Sequence, residues 1–222
     1  MEPTARASRE RIRDADRTRA EILEAARSEF ARVGFSGSRV DEVARLTNTT
    51  KRMIYYYFGS KEGLYVAVLE SAYARVREVE RMIDLDHLSP VEALRTLTDA
   101  TFDSNDSNPD FVRLVSVENI YWAEHLEKSN ALTGVNSPIL DLIDRILERG
   151  RADRSIRRQA SAVEVHTTMN SFCFYRVANR SSIRTIFGYD MADGKVRARQ
   201  RRIIADLMVA WLTTPDEADP AF

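Results

Sequence analysis

The chain has 222 residues, 44% hydrophobic and 30% charged, with 33 Lys and Arg against 34 Asp and Glu, which is enough apolar material for a sizeable core in one or two domains. Its apolar stretches are interrupted by charges well short of a bilayer-spanning length, and its N-terminus lacks the apolar run of a signal peptide, so neither a membrane protein nor a secreted one is expected. The single cysteine, Cys173, excludes an intrachain disulfide and points to a reducing compartment, hence a cytoplasmic location.

Residues 1–60 carry 12 basic and 9 acidic side chains, net +3, while the rest is net −4, so the modest positive excess sits at one end. Residues 1–17, with Arg6, Arg9, Arg11, Arg13 and Arg17 among acids, read as a flexible, solvated tail or as an arm that enters a minor groove. Thr18 with Glu21 forms a capping box, and Ile22, Leu23, Ala26, Phe30 and Val33 make an apolar stripe that stops at Gly34. Ser38 followed by Asp41 predicts the start of a short helix bearing Val40, Val43 and Ala44. Asn48 tolerates a left-handed turn, and Thr49-Thr50 offers a hydroxyl cap for a helix over 51–58. On that helix Ile54 and Phe58 share an inward face, while Lys51, Arg52 and Tyr55 face out. Gly59 breaks it, and Ser60 caps a long helix from Lys61, whose first turn joins a positive dipole end to a lysine. Two short helices with the second turned outward suit a DNA groove.

At these residues the chain resembles the TetR family of one-component transcriptional regulators. The likeness is carried by Ser38-Arg39-Val40, Val43-Ala44, Asn48, Ile54-Tyr55, Tyr57-Phe58 and Ser60-Lys61, and upstream by Thr18 to Phe35. Asn48 stands where the family commonly has glycine, and Arg52 where a small residue is common. A weaker likeness to the family's regulatory domains covers Pro109 to Glu118 and Asn179 to Asp190. The resemblance implies an all-α protein with a helix-turn-helix domain at 18–63, a helical regulatory domain at 64–214 and a C-terminal tail at 215–222. It also implies DNA contacts from Ser38, Arg39, Thr50, Lys51, Arg52, Tyr55, Tyr56, Tyr57 and Lys61.

Beyond Lys61, Leu64, Val68, Val76, Val79 and Ile83 mark a long amphipathic helix, and Ser89-Pro90-Val91-Glu92 opens the next. Asn105 to Asn108 reads as a loop, and Pro109 opens a helix to about Lys128. Within it Glu118, Trp122 and His125 recur at i, i+4 and i+7, continued by Phe111, Leu114 and Val115. That face lines an effector pocket, or else Glu118 and His125 form a network that fixes packing. Ser137-Pro138 opens a helix closing near Arg149-Gly150, and two further long helices cover Ser161 to Asn179 and Gly194 to Thr214. Met169, Phe172, Cys173 and Arg176 on the first of these are effector candidates, Arg176 suiting a carboxylate or an ion pair across an interface. Apolar residues fall on more than one face of both helices, and the resemblance turns Phe174, Val177, Ile203, Leu207 and Trp211 into candidates for a homodimer interface.

The expected function is therefore an effector-responsive repressor that binds a pseudo-palindromic operator in double-stranded DNA as a homodimer. A transcriptional activator of the same family and a helical protein-interaction module are the alternatives. The effector is a small molecule, aromatic or carboxylate-bearing by the residues offered to it. Catalysis has no positive support: there is no nucleotide-binding glycine loop, no paired Glu-x-x-His and no Cys-x-x-Cys, and no metal or cofactor is expected.

Overall fold

A computed structural model describes the backbone of residues 3–132 and 137–216, with side chains from residue 14 onward. Among the described residues there are ten helices and no strand: α1 (Pro3–Gly37), α2 (Val40–Leu46), α3 (Lys51–Phe58), α4 (Lys61–Arg81), α5 (Pro90–Ser107), α6 (Pro109–Ile120), α7 (Pro138–Ala152), α8 (Ala162–Ala178), α9 (Arg180–Phe187) and α10 (Gly194–Thr213). No helix is long and apolar enough to cross a membrane among them. The chain forms two compact units, one of Met1–Arg75 with Arg113–Val135 and one of Val76–Val112 with Asn136–Phe222. Helices α4 and α6 each run from one unit into the other.

Most predicted helix starts are where the local chemistry places them. Ser89 and Ser161 each accept from the backbone N–H three residues on, while Glu92 and Glu164 return a bond to the cap backbone. These reciprocal bonds satisfy orphan donors at both helix starts. Thr18 behaves otherwise. Its hydroxyl donates to the Asp14 carbonyl at 2.8 Å inside a helix that already runs from Pro3, so the expected tail over 1–17 is helical backbone from Pro3 on. No glycine or proline follows Pro3 to break it before Gly34, and Arg17 pairs with Asp14 and Glu21 one turn away on either side. Gly34, with φ 72° and ψ 176°, takes the chain out of helical geometry, as the sequence predicts. Of the C-terminal tail expected at 215–222, only Pro215 and Asp216 are described, and Asp216 accepts from the Gln159 N–H at 2.8 Å; the remainder lies outside the described residues.

In the second unit α5, α7, α8 and α10 enclose a core that includes Leu94, Leu97, Leu142, Ile143, Ile146, Val165, Met169, Met208 and Leu212. Asp106, inside α5, is its electrostatic anchor. Asp106 Oδ1 accepts from Arg176 at 2.5 Å and from Arg180 at 2.8 Å, and Oδ2 accepts from Arg197 at 2.6 Å. Arg176 is 2% exposed and is completed by Gln200, by the Met191 carbonyl at 2.8 Å and by the Phe102 ring 4.2 Å away. Burial pulls the Asp106 carboxyl upward, and the bonds from Arg197 and Arg176 outweigh it, leaving its pKa below the ordinary value.

Asp106→Asn keeps the shape and removes the charge, so it takes the shared carboxylate from Arg176 and Arg180 and leaves Arg197 with Asp103 alone; a loss of about 3 kcal/mol in urea denaturation is expected. The wild-type contribution is complete above the unfolded-state value of about 4 and disappears as pH falls through the lower folded-state value. The Asp106→Asn variant therefore loses less stability on acidification than the wild type.

Candidate nucleic-acid interface

A helix of eight residues has little stability alone, so α3 depends on its platform. Ile54 is fully buried, Val40, Val43 and Ala44 of α2 are buried, and Phe30, Phe35 and Tyr65 form an aromatic cluster in the same unit, with the Phe30 and Tyr65 rings edge to face at 4.8 Å. Asn48 takes φ 49°, the left-handed turn predicted for it. Thr50 caps α3 by accepting from the Met53 N–H at 3.2 Å, and Gly59 leaves the helix at φ 75°. Ser60 then accepts from the Gly63 N–H at 2.9 Å, capping α4.

The outer side of α3 presents Arg52, Tyr55 and Tyr56, Tyr56 being 77% exposed. Met53 is exposed as well. Nothing in the sequence pattern singles it out. Tyr57 turns half inward beside Phe58, itself covered by the Arg19 guanidinium at 5.2 Å. Arg39 and Thr50 are exposed. Lys51 is exposed but bonded to Asp41 at 2.9 Å, a contact that ties α2 to α3 and raises the lysine pKa. Lys61 Nζ sits 4.9 Å over the Phe35 ring at the start of α4. Ser38 is a correction. It is buried, its hydroxyl donates to the Phe35 carbonyl at 2.9 Å, and Arg39 occupies the cap position of α2 without a side-chain bond. Ser38 thus anchors the chain between α1 and α2 instead of facing a groove, because that turn leaves its hydroxyl nearest the last carbonyls of α1.

Residues 22–68 match the family described as "Bacterial regulatory proteins, tetR family", and residues 90–208 match "Tetracyclin repressor-like, C-terminal domain". The HTH-type transcriptional repressor NicS of Pseudomonas putida is 34% identical over 202 residues, 91% of this chain and 95% of NicS. The chain belongs to the TetR family. It is a DNA-binding transcriptional regulator. The fold agrees with the crystal structure of putative transcriptional regulator SCO4942 from Streptomyces coelicolor, at TM-score 0.65 and 24% identity over 89% of this chain and 99% of that one. FadR of Bacillus subtilis, solved in complex with stearoyl-CoA, matches at TM-score 0.61 and 17% identity, covering 86% of this chain and 97% of FadR.

The effector candidates of this TetR-family chain divide between the two units: Glu118, Trp122 and His125 in the first, Phe111, Met169, Phe172, Cys173 and Arg176 in the second. The helix expected to reach Lys128 ends at Ile120, and Trp122 and Ala123 follow at φ 56° and 63°. Trp122 is consequently 90% exposed, off the face it was expected to share with Glu118 and His125. Glu118 explains the break. Its buried carboxylate accepts from the His125 N–H at 2.8 Å and the Leu126 N–H at 3.0 Å through Oε1, and lies 3.1 Å from His125 Nδ1 through Oε2. These charge-assisted bonds offset two left-handed non-glycine residues, each costing about 1 to 2 kcal/mol. The His125 ring packs 4.6 Å from Phe35 and 4.8 Å from Tyr65, and burial together with the Glu118 charge pushes the Tyr65 hydroxyl pKa up. Glu118 and His125 are thus bonded to one another inside the first unit.

In the second unit Met169 and Cys173 are buried, the Cys173 thiol pushed up to about 12 by burial, and Phe111 is half-buried. Arg176 is buried, with its guanidinium engaged by Asp106, Gln200 and the Met191 carbonyl. The helical phase of α8 buries Val165, Met169, Cys173 and Val177, so Val177 faces inward, contrary to the interface expectation, and Phe174 is half-buried. Trp211 is partly buried against the core. Ile203 and Leu207 do face outward on α10, as Val163, Phe172 and Tyr175 do on α8.

Glu118→Ala leaves the His125 and Leu126 N–H groups and the imidazole without their acceptor. A loss of about 3 kcal/mol or more is expected in thermal denaturation, with Glu118→Gln, which keeps one acceptor oxygen, losing distinctly less.

Proposed function

We propose that this protein is a homodimeric repressor whose two reading heads occupy successive major grooves of a pseudo-palindromic operator, and that a small-molecule effector releases it. The observation that carries the reading is the outward set Arg52, Met53, Tyr55 and Tyr56 on a helix held by a capped, packed platform. Arg52 suits a guanine edge, the tyrosines suit phosphates and bases, and Lys61 at the α4 N-terminus suits a phosphate. Repression is favoured by the curated name of NicS. The homodimer is supported by the outward apolar residues of α8 and α10, which a second copy would cover by two-fold symmetry.

Effector control follows from linkage. A ligand that binds the low-affinity state more tightly shifts the population toward it by its differential affinity alone. Helices α4 and α6, covalently continuous from the regulatory unit into the reading-head unit, are the elements whose positions such a ligand would bias. FadR in complex with stearoyl-CoA supports a fold of this type accommodating a ligand, and this chain's effector is proposed to enter the second unit, where Phe172 is the outward-facing candidate contact.

Fluorescence anisotropy with DNA from upstream of the coding sequence tests the DNA reading. Arg52→Ala should cost about 1 to 3 kcal/mol and relax the preference at one base pair per half-site. Lys61→Ala should weaken all sequences alike and flatten the salt dependence by about one unit of slope. Unchanged affinity in both variants rejects the docking. Leu207→Glu should convert a wild-type dimer into monomers in sedimentation and abolish tight operator binding, since an unpaired carboxylate resists desolvation; a wild type that sediments as a monomer at micromolar concentration rejects the paired heads.

A further inference from the structure

The first half of α10 is basic: from Gly194 to Arg202 it carries one lysine and four arginines and no acid. Facing it, α5 presents Asp99, Asp103 and Asp106 at i, i+4 and i+7. Arg197 donates to Asp106 Oδ2 at 2.6 Å and to Asp103 Oδ1 at 2.5 Å, while Arg201 reaches Asp103 Oδ2 at 3.1 Å and Asp99 at 2.9 Å. With Arg176 and Arg180 also on Asp106, four guanidinium groups share three carboxylates. Arg202 is a fifth, exposed, and no acid pairs with it among the described residues. The cluster therefore holds two positive charges in excess.

That excess borders a concavity. A cavity of about 580 Å³ lies between α5 and α10, lined by Asp103, Ser107, Arg197, Ala198, Arg201 and Arg202. Its volume is within the range of about 300 to 1,000 Å³ of small-molecule sites. Ala198, one turn before Arg202, contributes only a methyl group to the wall and leaves the space open. Like charges gathered in a concavity repel, and an anion there relieves them. A phosphomonoester suits this excess better than a monocarboxylate, since near neutral pH it carries up to two charges and offers three acceptor oxygens to guanidinium forks. Asp103 keeps lone pairs beyond those its arginines use, and the Ser107 hydroxyl is exposed; both accept from hydroxyl groups and neither suits a bare anion. We propose that the α5–α10 cavity binds a small hydroxylated phosphomonoester, a sugar phosphate by chemical class, with Arg197, Arg201 and Arg202 on the phosphate and Asp103 and Ser107 on hydroxyl groups. Every residue of this site belongs to one unit of a single copy, so neither dimerisation nor DNA binding is required.

Titration calorimetry of the full chain at fixed ionic strength tests the site, with glucose phosphorylated at its primary hydroxyl as the probe and inorganic phosphate and unmodified glucose as the other arms. The sugar phosphate is expected to bind more tightly than phosphate, and glucose to give no heat. Arg202→Ala removes a guanidinium without a structural partner and should weaken the sugar phosphate about tenfold or more. Ala198→Leu keeps helix propensity while filling the cavity, so it should abolish binding with the circular dichroism unchanged. Arg199→Ala removes a charge from the same helix outside the cavity lining and should leave the affinity within about twofold. Equal losses in Arg202→Ala and Arg199→Ala would reduce the effect to diffuse surface charge and overturn the site. Phosphate binding as tightly as the sugar phosphate overturns the sugar-phosphate assignment in favour of free phosphate, and absence of binding by both at millimolar concentration overturns the proposal altogether.

Discussion

An eight-residue helix is worth little in water until something packs against it, and that constraint governs both ends of this molecule. Recognition of a DNA groove demands a short helix with most of its surface free. The free surface cannot contribute burial, so Ile54, the Thr50 cap and the left-handed Asn48 turn must hold α3 from one side and two ends. Phe30, Phe35 and Tyr65 form an aromatic cluster within the same unit. The same constraint applies to α9, which is as short as α3 and just as exposed, but has no buried anchor of its own.

Buried charge is used structurally in both units. Glu118 caps the N–H groups of a segment that would otherwise lack acceptors, and Asp106 gathers three arginines from α8, α9 and α10 onto α5. Ionised groups at such sites are tolerated only when their bonding capacity is nearly filled. A residue that is chemically attractive in the sequence is thereby tied into the core when folded. Arg176 illustrates this, its guanidinium bonded to a carboxylate, an amide and a carbonyl and stacked on Phe102.

The reading head follows the opposite logic. Its two lysines stay near the surface: Lys51 keeps Asp41 as a screened partner, and Lys61 rests on an aromatic face. A net charge of +3 over residues 1–60 is therefore compatible with DNA binding by a family member whose total charge is −1. What matters is a locally positive outer face, and the capped N-termini of α3 and α4 add to it.

The all-helical class, the helix-turn-helix from Val40 to Phe58, and the caps at Thr50, Ser60 and Ser89 were legible in the sequence because they depend on near neighbours in the chain: a hydroxyl and the N–H groups within one turn, or apolar residues three and four apart. Other features wait on packing between distant segments. The helix after Pro109 stops at Ile120 because Glu118 finds better donors in the backbone of His125 and Leu126 than continued helix would provide, a choice that depends on the aromatic surroundings of His125. The rotation of α8 about its axis, which sends Val177 inward and Phe172 outward, is set by the shape of the core it meets, since apolar residues on several faces leave the phase undetermined in the sequence. Ser38 and Arg176 were legible as polar groups in suggestive positions, but whether a polar group caps, pairs or waits for a ligand is settled by which partners the fold brings within hydrogen-bond reach.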